Sequence, residues 1–223
     1  MTHSACASDL IFAIEQAASP AGLVAAVQAL AEARLEAGIP TLISVLGYNN
    51  PEAAVIAVAG LVELGTAAVQ PLIEQLDDYN YGARAYSFRA LAAIADPQAL
   101  DVLINAAETD FAPSVRRAAT KGIGQLCWSR LPADQRQEAQ NRALQSLLAL
   151  AQHPDWDIRY AAVVGLQALA SSGEATGVEL AARILAQFNR IAQTDADLAV
   201  RARAEMAQQQ LNALSNQLTA IGN

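Results

Sequence analysis

A short motif that recurs along the chain is the feature that most constrains its fold. In this motif a small residue precedes a large aliphatic one, and successive copies lie 31, 30, 32 and 43 residues apart. The copies are Ala29-Leu30, Gly60-Leu61, Ala90-Leu91, Gly122-Ile123 and Gly165-Leu166. A recurrence of this length indicates a repeat protein in which each unit packs on its neighbours.

The residues around each copy predict an α-helix. Apolar and small residues lie at helical spacing on one face, which in the last copy consists of Ile158, Ala162, Gly165, Leu166 and Leu169. A second helix precedes each copy, and in three copies a proline suits its first turn: Pro40, Pro71 and Pro97. Helix pairs that recur about every 30 residues predict an all-α fold, an α-solenoid of HEAT or armadillo-like helical-pair repeats.

We expect a single solenoid domain over residues 1–223. The repeats are regular over about residues 10–128 and looser over 129–207, where residues 130–142 form a polar insertion. Apolar residues among glutamines and asparagines predict a terminal amphipathic helix over 205–221, which either caps the last repeat or packs on a partner. The first helix, residues 10–18, is apolar. This N-terminal end, or the face beside it, is predicted to pack on a partner, because a solenoid end without a polar cap is a liability.

Composition and charge narrow the classes of function and location. The net charge of −8 and the pI near 4.7 disfavour binding to nucleic-acid phosphates. The two cysteines and the lack of a basic leader segment predict a reducing, cytoplasmic location. The longest apolar run, residues 53–62, is expected to be too short to span a membrane.

The sequence contains none of the usual catalytic or metal-binding motifs. There is no glycine-rich phosphate loop, no HExxH and no paired CxxC. The two histidines, His3 and His153, lie far apart, and a pair of His3 with Cys6 would lie in a terminus that is expected to fray. Cys127 is expected to be a small buried hydrophobic residue. We therefore predict neither a metal site nor a prosthetic group.

Aromatic and charged residues concentrate in the turn inside each helix pair and in the first half of its second helix. Eight of the 11 aromatic residues lie there. Four arginines share one position of the repeat, six residues before the small residue, and are predicted to form a ladder with aspartates between repeats: Arg84, Arg116, Arg159 and Arg201. Four residues point further from the apolar stripe and are stronger functional candidates: Tyr86, Arg117, Tyr160 and Arg203.

Aromatic faces and arginine forks suit two kinds of ligand. One is a flat conjugated molecule that carries carboxylates, and the other is a protein interface. The candidate ligand-binding residues are Tyr79, Tyr81, Arg84, Tyr86, Arg116, Arg117, Trp156, Arg159 and Tyr160. The candidate catalytic acids are turn residues: Asp77, Asp78, Asp110 and Asp155.

Three segments resemble the phycobilin lyases, HEAT-repeat proteins that attach linear tetrapyrroles to phycobiliproteins in cyanobacteria and red algae. The segments are LGYNNPEAAV at residues 46–55, LDDYNYGARAYSFRALAAIADPQALDVL at 76–103 and TDFAPSVRRAATKGIGQL at 109–126. They are most similar to the F-type subunits of the E/F-type phycocyanobilin lyases for the phycocyanin α subunit. The resemblance covers about residues 10–170.

The resemblance implies a heterodimer with a longer E-type solenoid. The pair would hold phycocyanobilin as a bound substrate and attach it by a thioether bond to a cysteine of the apo-phycocyanin α subunit. The turn aspartates would then protonate the bilin, the arginines would hold its two propionates, and the aromatic residues would stack on its rings. Subunits that also isomerise the bilin carry adjacent His and Cys where residues 47–52 have neither, which favours simple attachment.

Two alternatives to this function remain open at the level of sequence. One is a non-catalytic HEAT-repeat scaffold that binds phycobiliproteins or phycobilisomes during assembly or degradation. The other is a lyase for a different bilin or a different acceptor cysteine.

Overall fold

The computed structural model describes residues 6–76, 79–172 and 178–221, with side chains over 6–76, 79–172 and 179–213. Within these ranges the regular structure consists of α-helices and short 3-10 turns, without a strand. The helices are α1 Ala7–Glu15, α2 Pro20–Ala33, α3 Ile39–Val45, α4 Pro51–Leu64, α5 Val69–Glu74, α6 Tyr81–Ile94, α7 Leu100–Thr109, α8 Pro113–Gln125, α9 Ala133–Leu150, α10 Trp156–Ser171, α11 Val178–Thr194 and α12 Leu198–Ile221.

The chain divides into two compact units, a first unit over Met1–Ala99 and a second unit over Leu100–Asn223. In the first unit the even-numbered helices stack in the order α2, α4, α6, and α3 contacts α5 beside them. In the second unit α8, α10 and α12 stack in the same way, and α7 contacts α9. The predicted all-α architecture of helical pairs is confirmed. One continuous solenoid domain over 1–223 stays a prediction.

Polar caps and prolines explain where the second helices of the first unit begin. The side chains of Ser19 and Asn50 accept hydrogen bonds from the amides of Gly22 and Ala53, at 3.1 Å each, and a proline opens both helices. Asn80 caps α6 in the same way. These caps satisfy amides that have no partner inside the helix, so the boundaries follow directly from sequence.

The recurring motif lies in the packed interior of each unit, as its spacing predicts. Its large members are all buried: Leu30, Leu61, Leu91, Ile123 and Leu166. Its small members bring helices together, because a Cβ on Gly60 would lie 2.7 Å from the Cβ of Ala31 in α2. Burial of these aliphatic side chains is the main force that holds neighbouring pairs together.

Three boundaries differ from those expected. Helix α1 spans Ala7–Glu15 rather than residues 10–18, and α12 is one helix over Leu198–Ile221 that includes the last degenerate repeat. Most of the polar insertion forms the first half of α9, Ala133–Leu150, whose buried residues begin only at Gln140. Hydrophobic periodicity finds the packed part of a helix but not its solvated extension.

The stretch Pro51–Glu74 is long and apolar enough to cross a membrane by length and composition alone. It consists of two helices, α4 and α5, separated by a 3-10 turn that starts at Gly65, whose φ of 63° favours glycine. In α4, Ala53, Ala57 and Leu61 are buried against neighbouring helices. The stretch is therefore weak support for a membrane span, since core helices pass the same test.

Candidate functional site

Exposed aromatic residues mark the segments that join the two helices of a pair. We call these segments, with the first turn of the second helix, the turn edge; it comprises residues 46–54 and 79–84 in the first unit, and 110–117, 151–160 and 195–203 in the second. Among the residues whose side chains are described, six of the ten large apolar residues that are exposed lie on it: Tyr48, Tyr79, Tyr81, Phe111, Trp156 and Leu198. Exposed apolar residues that cluster in this way indicate a binding surface.

In the first unit the predicted site residues have different environments. Tyr81 opens α6 with 59% of its surface exposed, whereas Arg84, one turn later, is buried. Tyr86 is half-buried, and the Arg89 guanidinium lies 5.1 Å from its ring centre, a cation–π contact. Tyr79 is almost fully exposed. Two of the candidate acids, Asp77 and Asp78, lie outside the described residues.

In the second unit Arg159 forms the strongest contact between repeats. Its Nε and Nη2 donate to the two carboxylate oxygens of Asp195, both at 2.8 Å, and Nη1 donates to the carbonyls of His153 and Pro154. The hydrogen bond from Arg159 holds the pKa of Asp195 below its ordinary value, against the opposing effect of burial. Arg201 donates to the backbone carbonyl of Asp195 rather than to a carboxylate. The predicted pairing of arginine with aspartate between repeats is thus present at Arg159, and a backbone contact replaces it at Arg201.

Arg116 holds the equivalent position one repeat earlier and is bound differently. Its Nε donates to the carbonyl of Ala107 at 2.9 Å, and its Nη1 lies 2.9 Å from Nε2 of His153 in the next repeat. Within the described part of the chain, Nη2 of Arg116 has no hydrogen-bond partner. Most N–H groups of the Arg159 guanidinium are therefore hydrogen-bonded within the protein. The Arg116 guanidinium is held in place by two contacts and keeps N–H groups that can bind a ligand.

Arg117 of α8 and Tyr160 of α10 are both half-buried. Arg117 forms a salt bridge with Asp157 of the next repeat, and 43% of the Arg117 side chain is exposed. Arg203 of α12 donates to Gln167 of α10. Arg117 and Arg203, which point away from the apolar stripe, thus also join neighbouring repeats.

The two candidate acids within the described residues, Asp155 and Asp110, have different surroundings. The Asp155 carboxylate is 61% exposed, and one of its oxygens lies 3.7 Å from Nδ1 of His153. Asp110 accepts a hydrogen bond from the amide of Ala112 at 2.8 Å, which ties it to the entry of α8. Trp156 follows Asp155 and is half exposed. The structure thus brings an acid, an aromatic face and an anchored arginine to one end of α10.

An open cleft of about 400 Å³ lies beside this cluster, between residues 151–154 and the end of α11. Its polar lining residues are Gln152, His153, Arg159, Gln187, Arg190, Thr194 and Asp195. Gln187 accepts a hydrogen bond from Arg190 at 2.8 Å, while its buried Nε2 has no partner within the described residues. Walls of this polarity suit a polar group of a ligand better than a ring system.

Neither cysteine lies in a metal cluster, and the described residues contain no group of three or more ligands that could hold a metal ion. Cys6 is exposed, and the hydroxyl of Ser8 donates to its sulfur, which lowers the pKa of the thiol. Cys127 is half-buried rather than buried as expected. The neighbouring Trp128 is fully buried instead, so the large ring, not the thiol, packs into the interior.

His153 is the residue that sequence reasoning missed. It lies at the junction of Arg116, Asp155 and Arg159, and its side chain is largely buried, with 18% exposed. A lone histidine in a turn carries no motif, and its role depends on a contact with α8 that joins residues 37 positions apart. Its place six residues before the repeated arginine Arg159 is the one signal that could have found it.

Comparison with known proteins identifies the family. A profile of HEAT repeats matches residues 69–167, as the predicted solenoid requires. The chain is 54% identical over 203 residues to a phycocyanobilin lyase subunit beta from Nostoc sp. PCC 7120, a match that covers 91% of this chain and 99% of that protein. The chain belongs to the phycocyanobilin lyase family.

A second relative and a solved structure agree with this assignment. A protein of Synechocystis sp. PCC 6803 named phycocyanin alpha phycocyanobilin lyase CpcF is 49% identical over 165 residues, 74% of this chain and 77% of that protein. A structure of the complex of CpcE and CpcF of phycocyanin lyase from Nostoc sp. PCC 7120 matches with 56% identity and a TM-score of 0.72. It covers 77% of this chain and 98% of the matched chain. The resemblance noted from sequence is confirmed, and so is the HEAT-type α-solenoid.

Proposed function

We propose that this chain is one subunit of a heterodimeric bilin lyase. With an E-type partner it holds phycocyanobilin and delivers it to a cysteine of the apo-phycocyanin α subunit, in the cytoplasm. The observation that carries the proposal is the near full-length similarity to a phycocyanobilin lyase subunit. The bilin is a substrate in this proposal, and no prosthetic group takes part.

The chemistry requires binding and alignment more than a catalytic nucleophile. The acceptor thiol adds across a carbon–carbon double bond of the bilin: a C–S bond forms, the thiol proton ends on carbon, and no group leaves. The acceptor supplies the sulfur, which agrees with the lack of a standard catalytic motif in this sequence. Holding a flexible tetrapyrrole beside the thiol lowers the barrier through effective molarity.

The cluster at the start of α10 supports the roles assigned to its residues. Asp155, whose carboxylate is largely exposed, keeps the pyrrole nitrogens protonated and so makes the bilin more electrophilic. Trp156 stacks on a pyrrole ring, and Arg116 and Arg117 bind propionate carboxylates. Arg159 contributes by fixing the 153–155 turn, since its donors are occupied by Asp195 and two carbonyls.

The remaining candidates stay in the proposal with roles that their surroundings favour. Exposed or half-buried aromatic residues are proposed to stack on the bilin or on the acceptor protein: Tyr79, Tyr81, Tyr86 and Tyr160. The buried Arg84 is proposed to support α6 beside them. The further acids are Asp77, Asp78 and Asp110. At the other end of the first unit, the exposed Phe12 of α1 is proposed to contact the E-type partner.

Reconstitution in a bilin-producing host tests the function. This chain, an E-type partner and the apo-phycocyanin α subunit are co-expressed, and attached bilin is read as zinc-dependent fluorescence of the acceptor band on a denaturing gel. We expect the band only when all three proteins are present. A missing band, together with stable binding of this chain to assembled phycobilisomes, would overturn the lyase in favour of a scaffold. Exchanging the bilin or the acceptor cysteine tests specificity.

Two matched pairs of variants test the cluster in the same assay. Asp155→Asn is expected to slow attachment by about a hundredfold, a typical contribution of a positioned acid. Its control, Asp134→Asn, removes an exposed aspartate from α9 in the same unit and should leave the rate unchanged. Trp156→Leu is expected to weaken bilin binding by about tenfold, and Trp156→Phe, which keeps an aromatic face, should restore most of it. Equal effects of both members of either pair would contradict the roles proposed.

A further inference from the structure

His153 joins two consecutive repeats of the second unit at the point where the proposed acid and arginine meet. Its Nε2 lies 2.9 Å from Nη1 of Arg116, and its Nδ1 lies 3.1 Å from the backbone nitrogen of Asp155. Its own carbonyl accepts a hydrogen bond from Arg159. The ring therefore sits in a fixed backbone turn and reaches across to α8.

Both nitrogens of the ring face donors, and this determines how the ring is used. A neutral imidazole has one lone pair in the ring plane, so it can accept from Arg116 or from the Asp155 amide, but not from both. The bond from the guanidinium is charge-assisted and therefore stronger. This choice leaves the proton on Nδ1, 3.7 Å from the Asp155 carboxylate, and gives up the hydrogen bond from the Asp155 amide to Nδ1. In this tautomer Nε2 is committed to Arg116.

The contact with His153 completes the restraint on the Arg116 guanidinium. Nε donates to the Ala107 carbonyl and Nη1 donates to His153, so the plane of the guanidinium is fixed, while Nη2 has no partner within the described residues. In Arg159, at the same position one repeat later, Nε and Nη2 both donate to the Asp195 carboxylate. An arginine that is fixed in orientation but keeps spare donors is suited to bind a carboxylate.

We propose that His153 is a positioning residue that holds Arg116 ready to bind one propionate carboxylate of the bilin. This inference rests on the proposed function, because it names the part of the substrate that the second unit recognises. Without His153, Arg116 would have to be ordered at the moment of binding, and the affinity would fall by the entropy of that ordering.

Three variants of His153 separate its two contacts in the reconstituted heterodimer. His153→Gln places an amide oxygen near the position of Nε2 and can still accept from Arg116. His153→Asn places one near the position of Nδ1 and can accept only from the Asp155 amide. His153→Leu can do neither. Each is titrated with phycocyanobilin and with its dimethyl ester, in which both carboxylates are masked, and binding is followed by the bilin absorbance spectrum.

We expect His153→Leu and His153→Asn to weaken binding of the free acid by about tenfold, whereas His153→Gln stays close to wild type. The dimethyl ester should bind wild type and all three variants with equal affinity, because the contact that His153 prepares is then missing. Gln145→Ala, a change of an exposed residue in α9, is the control and should leave both affinities unchanged. Thermal denaturation of each variant checks that the second unit is folded.

Two results would overturn the inference. If His153→Leu weakens the free acid and the ester equally, the histidine supports the fold and does not prepare a carboxylate site. If wild type binds both bilins with the same affinity, no carboxylate contact exists. Failure of the proposed function is distinguishable from both, since wild-type heterodimer would then neither bind the free acid nor attach it to the acceptor.

Discussion

Replacing Gly124 with alanine tests the closest backbone contact of the second unit. Gly124 lies in α8 and faces Gly165 in α10, and these two helices pack extensively on each other. A Cβ built on Gly124 would lie 1.9 Å from the carbonyl oxygen and 2.7 Å from the Cα of Gly165. All of the nearest atoms belong to the backbone, so no side chain can rotate to make room.

The size of the effect follows from these distances. Ordinary contact of a Cβ begins at 3.4 Å, so α8 and α10 would have to separate by about 1.5 Å at this point. Overpacking in a tight core costs about 1 to 3 kcal/mol, and a rigid backbone contact falls at the upper end. Alanine regains about 1 kcal/mol of helix propensity. The expected net loss in the free energy of unfolding is about 2 kcal/mol, or about 4 to 8 °C in Tm.

Tryptophan fluorescence measures this loss, since both tryptophans, Trp128 and Trp156, lie in the second unit. Urea titration gives the midpoint and the slope, and an unchanged slope with a lower midpoint indicates a loss of stability. The control is Gly22→Ala, whose added Cβ would lie 3.1 Å from the rotatable Ser19 hydroxyl. It should change stability, followed by circular dichroism, by less than about 1 kcal/mol.

Stability of Gly124→Ala equal to or above that of wild type would refute the reasoning. It would mean that α8 and α10 can separate at no cost, and that the glycine pair does not set the spacing of the repeats. Gly165→Ala gives a second test, because its Cβ would lie 2.8 Å from the Thr120 carbonyl and 2.7 Å from Leu147. Gly165→Ala should also lower the free energy of unfolding.

Three further predictions address charge, assembly and reactivity. Asp195→Asn should lower the free energy of unfolding by about 2 kcal/mol at pH 7. The difference in stability from wild type should disappear as the pH falls below about 4, because Arg159 lowers the pKa of the folded Asp195 carboxyl. Urea titrations at several pH values measure this difference. Phe12→Ser should weaken association with the E-type partner by at least about tenfold in a calorimetric titration, whereas Val55→Ser, equally exposed, should not. Cys6 should react with iodoacetamide faster than the other cysteine in a mass-spectrometric time course, since its thiol pKa is lowered.

The ladder of arginines shows how far repeat periodicity reaches. The common position of Arg116, Arg159 and Arg201 is visible in the sequence, and in the structure each contacts an adjacent turn. The periodicity does not indicate that most N–H groups of Arg159 are hydrogen-bonded within the protein, whereas Arg116 keeps N–H groups available to a ligand. That difference depends on which residue occupies the next turn, Asp195 in one case and His153 in the other.

The recurring small and large residues determined the fold of this protein by themselves. They determine it because helix pairs with one apolar stripe have no stable arrangement except stacking on their neighbours. The family can likewise be predicted from the sequence, since three segments of this chain resemble it and the overall identity to a relative is 54% over 203 residues. These properties depend on residues close together in the chain or on a regular repeat.

Only the tertiary structure decided which side chains meet at the candidate site. The contact between Arg116 and His153 joins residues 37 apart, and that between Arg159 and Asp195 joins residues 36 apart. Such contacts depend on the approach of α8 and α10, which the Gly124–Gly165 pair permits at backbone distance. The packing of the helices therefore selects the hydrogen-bond partners, and with them the arginine that remains available to a ligand.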